Sequence, residues 1–345
     1  MFTQWTPDGP PSFAELVAPT FPEPPVLPVI GGVLAVLYLV GVVRLAVLRR
    51  RWPLGRTVCF VLGCALLIAV GGLGLEAYGT VMLSVFMFQQ LTIMMTIPPL
   101  LVLGAPGSLL LRATPHRGAG RMVLRLALAG LRSRRLGWLL SPAVGIPLFL
   151  LSFFGLYLGG LIDPVLAMPG GHLLLEVVFL AVGVLFTIPL LTIDPVPVRI
   201  GHATRAVDVF VEAGLHAFFG IVLMMGTYTI VDTFASASAE AGIDPLFDQQ
   251  VAGGLAWGYG EAPTVIILLV IMYRWFRDDT RRAAAADVRA DRDGDAELEA
   301  YNARLAAMSA RSRRQEASSA TGEAAADDGE RRVAPEEPAS TTLPA

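Results

Sequence analysis

Lysine is missing from this 345-residue chain; all 26 basic residues are arginine. We read that absence as genomic GC bias, and it leaves arginine alone to report which loops are basic. Cysteine is nearly absent as well. Cys59 and Cys64 lie in one apolar run, which excludes a disulfide framework. Sharing no helix face, they read as small buried packing residues. Charge is scarce: 16% of residues are charged against 54% hydrophobic, and the mean hydropathy is +0.61. Those values exclude an ordinary soluble globular domain. No internal repeat is evident. Neither an HExxH nor a paired CxxC pattern occurs, and no activated nucleophile or cofactor fingerprint is found, so enzymatic catalysis is not expected. The net charge of −3 says little about partners, and nothing points to nucleic acid. The first residues lack a basic region and a small-residue cleavage site, so they do not read as a signal peptide.

What the chain does have is long apolar runs. A membrane-crossing helix needs about 20 apolar residues, and seven stretches qualify, at roughly 26–48, 56–77, 81–104, 139–162, 172–193, 207–231 and 251–276. The expected fold is an all-α, seven-helix, multi-pass membrane protein. Arginines sort by loop. Arg44, Arg49, Arg50, Arg51 and Arg56 follow the first run; Arg112, Arg117, Arg121, Arg125, Arg132, Arg134 and Arg135 follow the third; Arg199 and Arg205 follow the fifth. Arg274, Arg277, Arg281 and Arg282 end the seventh, and the remaining loops carry none. Because arginine is retained on the cytoplasmic side, the N-terminus is expected outside and the C-terminus inside. Residues 1–25 then form a Pro-rich extracytoplasmic arm with Trp5 and Phe13 at headgroup level, and 26–276 the membrane domain. Residues 277–345 hold 15 of the 29 acids and 11 of the 26 arginines. They are expected to form a cytosolic tail, with a short charged helix near 283–310 followed by disorder.

Ionisable groups at membrane depth are costly and mark function by default. His172 opens the fifth run with Glu176 one turn on, at i+4. His216 lies about 13 Å from the inner end of the sixth run at 1.5 Å per residue, and Glu261 is at mid-depth in the seventh, below Asp248, Gln249 and Gln250. On the third run Gln89 and Gln90 interrupt apolar sequence, and Gln90 shares faces with Met87 and Met94. Packed together, these helices would build one polar chamber opening outward. Imidazole, thioether and carboxylate suit copper. The plainer readings remain open: methionine is ordinary core filler, and amides also bond between helices. His116 and His202 fall in arginine-rich loops and read as solvated or headgroup-facing.

Several landmarks occur in order: Met87 and Gln89, then PPLLVLGAP (98–106) and LLLRATP; His172 with FLAVGVLF; Asp194-Pro195-Val196-Pro197; HAFFG (216–220); and DQQVAGGLAWGYGEAP (248–263). With these the chain resembles the CtaG family of cytochrome c oxidase assembly factors, particularly its actinobacterial members, over about 230 residues. The resemblance implies a bacterial plasma-membrane protein that assists copper delivery to the copper B centre of the oxidase. Its implied partners are oxidase subunits, the lipid bilayer and a copper donor protein. Metal would be held by His172, Glu176, Met87 and His216, entering past Asp248 and Gln249. The chain departs from the family's pattern at Phe86 and Gln90, where imidazoles flank the third-run signature, and at Glu176, which replaces a second histidine. Two other classes follow from the same residues: a transporter or proton relay using buried His and Glu, and a copper-independent scaffold for oxidase assembly.

Overall fold

A computed structural model describes residues 7, 9–191, 193–197, 200–293 and 296–331, with side chains left out at 291–293, 296–297 and 317–331. Trp5 and Arg199 lie outside the described residues. Among those described, the protein is all-helical. Five helices are long and apolar enough to cross a membrane: α1 (Val26–Val47), α3 (Leu83–Ala113), α5 (Gly171–Leu191), α6 (His202–Met224) and the apolar part of α7 (Pro245–Asp293). Two further apolar helices, α2 (Leu54–Val70) and α4 (Pro142–Leu158), are shorter than that length. The chain is therefore a helical membrane protein. At 17 residues, α2 spans about 25 Å at 1.5 Å per residue. It stops short of the expected 77 because Gly71 and Gly72 turn the chain, and a separate short helix, Gly74–Tyr78, follows.

Packing runs α1 on α2, α2 on α3 and α3 on α5. Among the described residues the larger of two core clusters includes Phe86, Met87, Phe153, Phe179 and Phe219, and the smaller one Val102, Leu190, Val209 and Ile267. Outward faces stay apolar, as at Leu37 and Val40 of α1 and Leu269 of α7, which suits a hydrocarbon solvent. Helix α3 is irregular. Pro98 and Pro99 supply no N–H to the carbonyls one turn earlier, and the chain relaxes into a π-helical turn over Thr92–Thr96. The turn is tied to α7 by the Tyr259 hydroxyl, 3.0 Å from that of Thr92 and 3.1 Å from that of Thr96. Helices α6 and α7 approach closely: a Cβ on Gly220 would lie 2.6 Å from the Trp257 nitrogen, and one on Gly253 2.3 Å from that of Met224. Small residues let membrane helices pack backbone to backbone.

Three aspartates cap helix starts from far away in sequence. Asp194 accepts from the Gly107 and Ser108 N–H groups at 2.8 and 2.6 Å, where Ala105 in a left-handed turn restarts α3. Asp163 accepts from the Thr233 N–H at 2.8 Å at the start of Asp232–Glu240. Asp248 receives the Leu83 and Ser84 N–H groups at 2.6 and 3.3 Å, together with the Ser84 hydroxyl. Each neutralises donors that a helix start leaves without partners.

The ends of the bundle differ. At one, Trp52 lies between Arg56 and Arg112, with guanidinium carbons 5.2 and 5.6 Å from its ring centre. At the arginine-poor end, the arm is pinned to the 72–78 turn: Thr20 donates to the Gly72 carbonyl, Gly74 to that of Ala18, and the Tyr78 hydroxyl to Glu15. Bonds from the Ser12 hydroxyl and N–H hold the Glu15 carboxyl below its ordinary value. From Phe276 on, the described residues form a second unit, helical to Asp293 and again over Ala296–Arg331. That helix runs well past the expected 310, in keeping with its alanine- and glutamate-rich sequence.

Candidate metal centre and inner cluster

His172 and Glu176 begin α5 one turn apart, so both side chains point the same way. What they meet is Glu76, carried in by the short helix after α2. The His172 Nε2 lies 3.5 Å from Glu76 Oε1 and 3.8 Å from Glu176 Oε1. One donor atom from each of the three residues lies within 4.8 Å of the others. Gln89 of α3 donates from Nε2 to Glu76 Oε2 at 2.9 Å, which fixes that carboxylate. Both carboxylates are buried, at 6% and 3% exposure. Among the described residues, both His172 ring nitrogens, Glu176 Oε1 and Gln89 Oε1 lack a hydrogen-bond partner. Two buried carboxylates beside a single, partly exposed imidazole call for a cation or a shared proton. Imidazole with carboxylate oxygens suits a borderline divalent ion such as Cu(II) better than Cu(I).

Adjacent amides on a helix point about 100° apart, and Gln89 and Gln90 serve different walls. Gln90 donates to the Ser152 carbonyl at 3.0 Å and accepts from the Tyr157 hydroxyl, bracing α4. Phe86, one turn before Gln89, sets its ring 5.3 Å from the His172 ring, so a third-helix imidazole at that position would reach the centre. Met87 is fully buried in the apolar core cluster that also holds Phe86. Asp248 caps α3. Gln249 holds the 226–230 loop, accepting from the Ile230 N–H at 2.7 Å and donating to the Tyr228 carbonyl at 2.9 Å, and Gln250 reaches the Gly226 carbonyl.

His216 lies in a second group. Helix α6 starts at His202, five residues before the expected 207, so His216 is about 21 Å along it. It is fully buried, its Nδ1 is 3.8 Å from Glu261 Oε1, and its ring meets Phe153 edge-on at 4.8 Å. A Cβ on Gly260 would sit 2.0 Å from the His216 ring, so only glycine admits the imidazole there. One turn before it Glu212 is buried, lining a small void with Met94, Met95 and Thr264. Arg205, Asp208, Glu212 and His216 thus form a buried ionisable stripe at spacings of three, four and four. The described contacts fall into two groups rather than a single chamber, one at the arginine-poor end and one at depth. Glu76 and Glu212 are absent from the sequence-based set. Glu76 stands at the end of an apolar run whose one other charge is Arg56 at its start, and Glu212 is found by extending the face of His216 one turn back.

Residues 36–278 match the family model described as cytochrome c oxidase caa3 assembly factor. The chain belongs to that family. The match takes in every residue of both groups. Uncharacterized proteins of Mycobacterium bovis and Mycobacterium tuberculosis are each 39% identical to it over 286 residues, and one of Mycobacterium leprae is 36% identical over 283. The alignments take in 81%, 81% and 80% of this chain but 43% of each relative, so this member of the family spans less than half their length. No solved structure matches the chain.

Proposed function

We propose that this protein assists assembly of cytochrome c oxidase by receiving copper at Glu76, His172 and Glu176 and passing it toward the copper B centre. The observation that carries the reading is the triad with its two buried carboxylates: three donors from two separate elements converge within 4.8 Å, with oxygen and nitrogen atoms that lack a hydrogen-bond partner. Family membership supplies the client. On this reading the chain crosses a bacterial plasma membrane seven times with its N-terminus outside, so the triad faces the side from which a copper donor protein would approach. The protein acts as a non-catalytic holder of the ion. Deletion of the gene should leave the membrane oxidase deficient in copper relative to haem, as read by metal analysis. The wild-type gene should restore it and an H172A/E176Q variant should not. Normal copper loading in the deletion strain would overturn the reading and favour a copper-independent scaffold.

A second reading is favoured by the Arg205–Asp208–Glu212–His216 stripe facing Glu261. Buried ionisable groups on successive turns are what a proton relay needs. If they relay protons, proteoliposomes should take up protons under an imposed gradient, and Glu212→Gln should bring that uptake to the level of empty vesicles.

A further inference from the structure

The arginine-rich segment after α3 has a structure of its own. Residues 112–135 contain seven arginines and no acid. Within them Ala119–Leu131 is a helix with Met122 67% and Leu126 64% exposed on its apolar side. Arg132, Arg134 and Arg135 are exposed at its end, and among the described residues no carboxylate pairs with them. Directly beside these three arginines the chain turns inward. Leu131, Leu136 and Leu140 line a cavity of about 740 Å³, whose other walls include Leu180, Val184 and Ile188 of α5. That volume lies within the roughly 300–1,000 Å³ of sites that enclose small ligands. Among the described residues its one acid, Asp194, has both carboxylate oxygens engaged by the Gly107 and Ser108 N–H groups. The lining is otherwise apolar, so it has no polar feature to hold a water-soluble ligand.

A basic rim over an apolar cavity between membrane helices matches a molecule with an anionic head and a hydrocarbon tail. We propose that this protein binds an anionic phospholipid there, with one acyl chain in the cavity and the phosphate among Arg132, Arg134 and Arg135. Trp138, 67% exposed one turn further on, sits where an interfacial ring would flank the glycerol. If the arginines served only to fix topology, they would attract anionic lipid without retaining it, since exposed charge is screened by salt within about 10 Å.

The test uses the full chain in nanodiscs of equal phosphatidylglycerol and phosphatidylcholine, extracted into mild detergent, with retained lipid counted by mass spectrometry. Wild type should retain phosphatidylglycerol at least tenfold over phosphatidylcholine at physiological salt. An R132Q/R134Q/R135Q variant should fall to parity. An Ala181→Trp variant, which fills the cavity from α5, should retain neither lipid. Parity in wild type, or an undiminished preference in the triple variant, overturns the proposal. Displacement by equimolar glycerophosphoglycerol, the headgroup without its tails, overturns the acyl-chain half of it. Thermal unfolding of each variant, expected to match wild type at these exposed arginines, separates lost binding from lost fold.

Discussion

A protein carrying H172A and E176Q together should lose the Cu(II) binding proposed for Glu76, His172 and Glu176, with affinity falling by more than about 100-fold in a competition titration. Removing one outer group that merely orients a metal ligand costs roughly 10–100-fold, and this variant removes two direct donors. Gln89→Leu, which leaves the three donors but frees the Glu76 carboxylate, should sit within that smaller range. Binding should also weaken as pH falls, because protons compete for imidazole and carboxylate. The stability readout separates a metal centre from a structural ion-pair cluster. Glu176→Gln replaces one of two adjacent buried carboxyl groups with a neutral amide of the same shape, so the unfolding temperature without metal should hold or rise. If the triad existed to tie α5 to the 74–78 helix, the same change would lower it. Unchanged copper binding in the double variant would exclude the centre described here.

Asp248→Ala should destabilise the protein by roughly 1.5–5 kcal/mol, seen as a large drop in unfolding temperature in detergent. Loss of a helix cap costs about 0.5–2 kcal/mol, and leaving a buried donor without a partner costs about 1–3 kcal/mol more. Here one buried carboxylate, 2% exposed, serves two N–H groups and a hydroxyl. Asp248→Asn retains one acceptor and should lose less than half as much. If Asp248 were instead a gate for entering metal, the alanine variant would slow binding and leave the unfolding temperature unchanged.

Much of the fold is legible because its signals are local. Apolar runs mark the helices, and the i,i+4 pairing of His172 with Glu176 needs only the helical repeat. Where the reading stops, the reason is distance in sequence. Asp248 looks like a chamber-mouth acid until Leu83 and Ser84, 165 and 164 residues away, are seen to donate to it. Glu76 was hidden in an expected helix running to 77, whereas Gly71 and Gly72 end α2 early and turn the carboxylate toward α5. Gln89 and Gln90 are indistinguishable as neighbouring amides; only the packing of α3 against the 74–78 helix on one side and α4 on the other assigns them separate partners. Likewise His216 belongs with Glu261 and Glu212 because α6 begins at His202, a boundary set by tertiary packing rather than by where hydropathy rises.

The long-range caps bear on how the protein is made. Helix α3 enters the bilayer early in synthesis, yet the donors at its first turn find their carboxylate only on α7, and the Leu191 carbonyl near the end of α5 finds its donor on Arg274. In hydrocarbon such groups have no water to turn to. Until α7 arrives, the first turn of α3 and the end of α5 lack these partners, and both helices are inserted but not locked. Locking of α3 and α5 is thus coupled to synthesis of α7: a nascent protein would leave the membrane's insertion machinery with these two helices still free to shift, and fix them only when α7 packs against them.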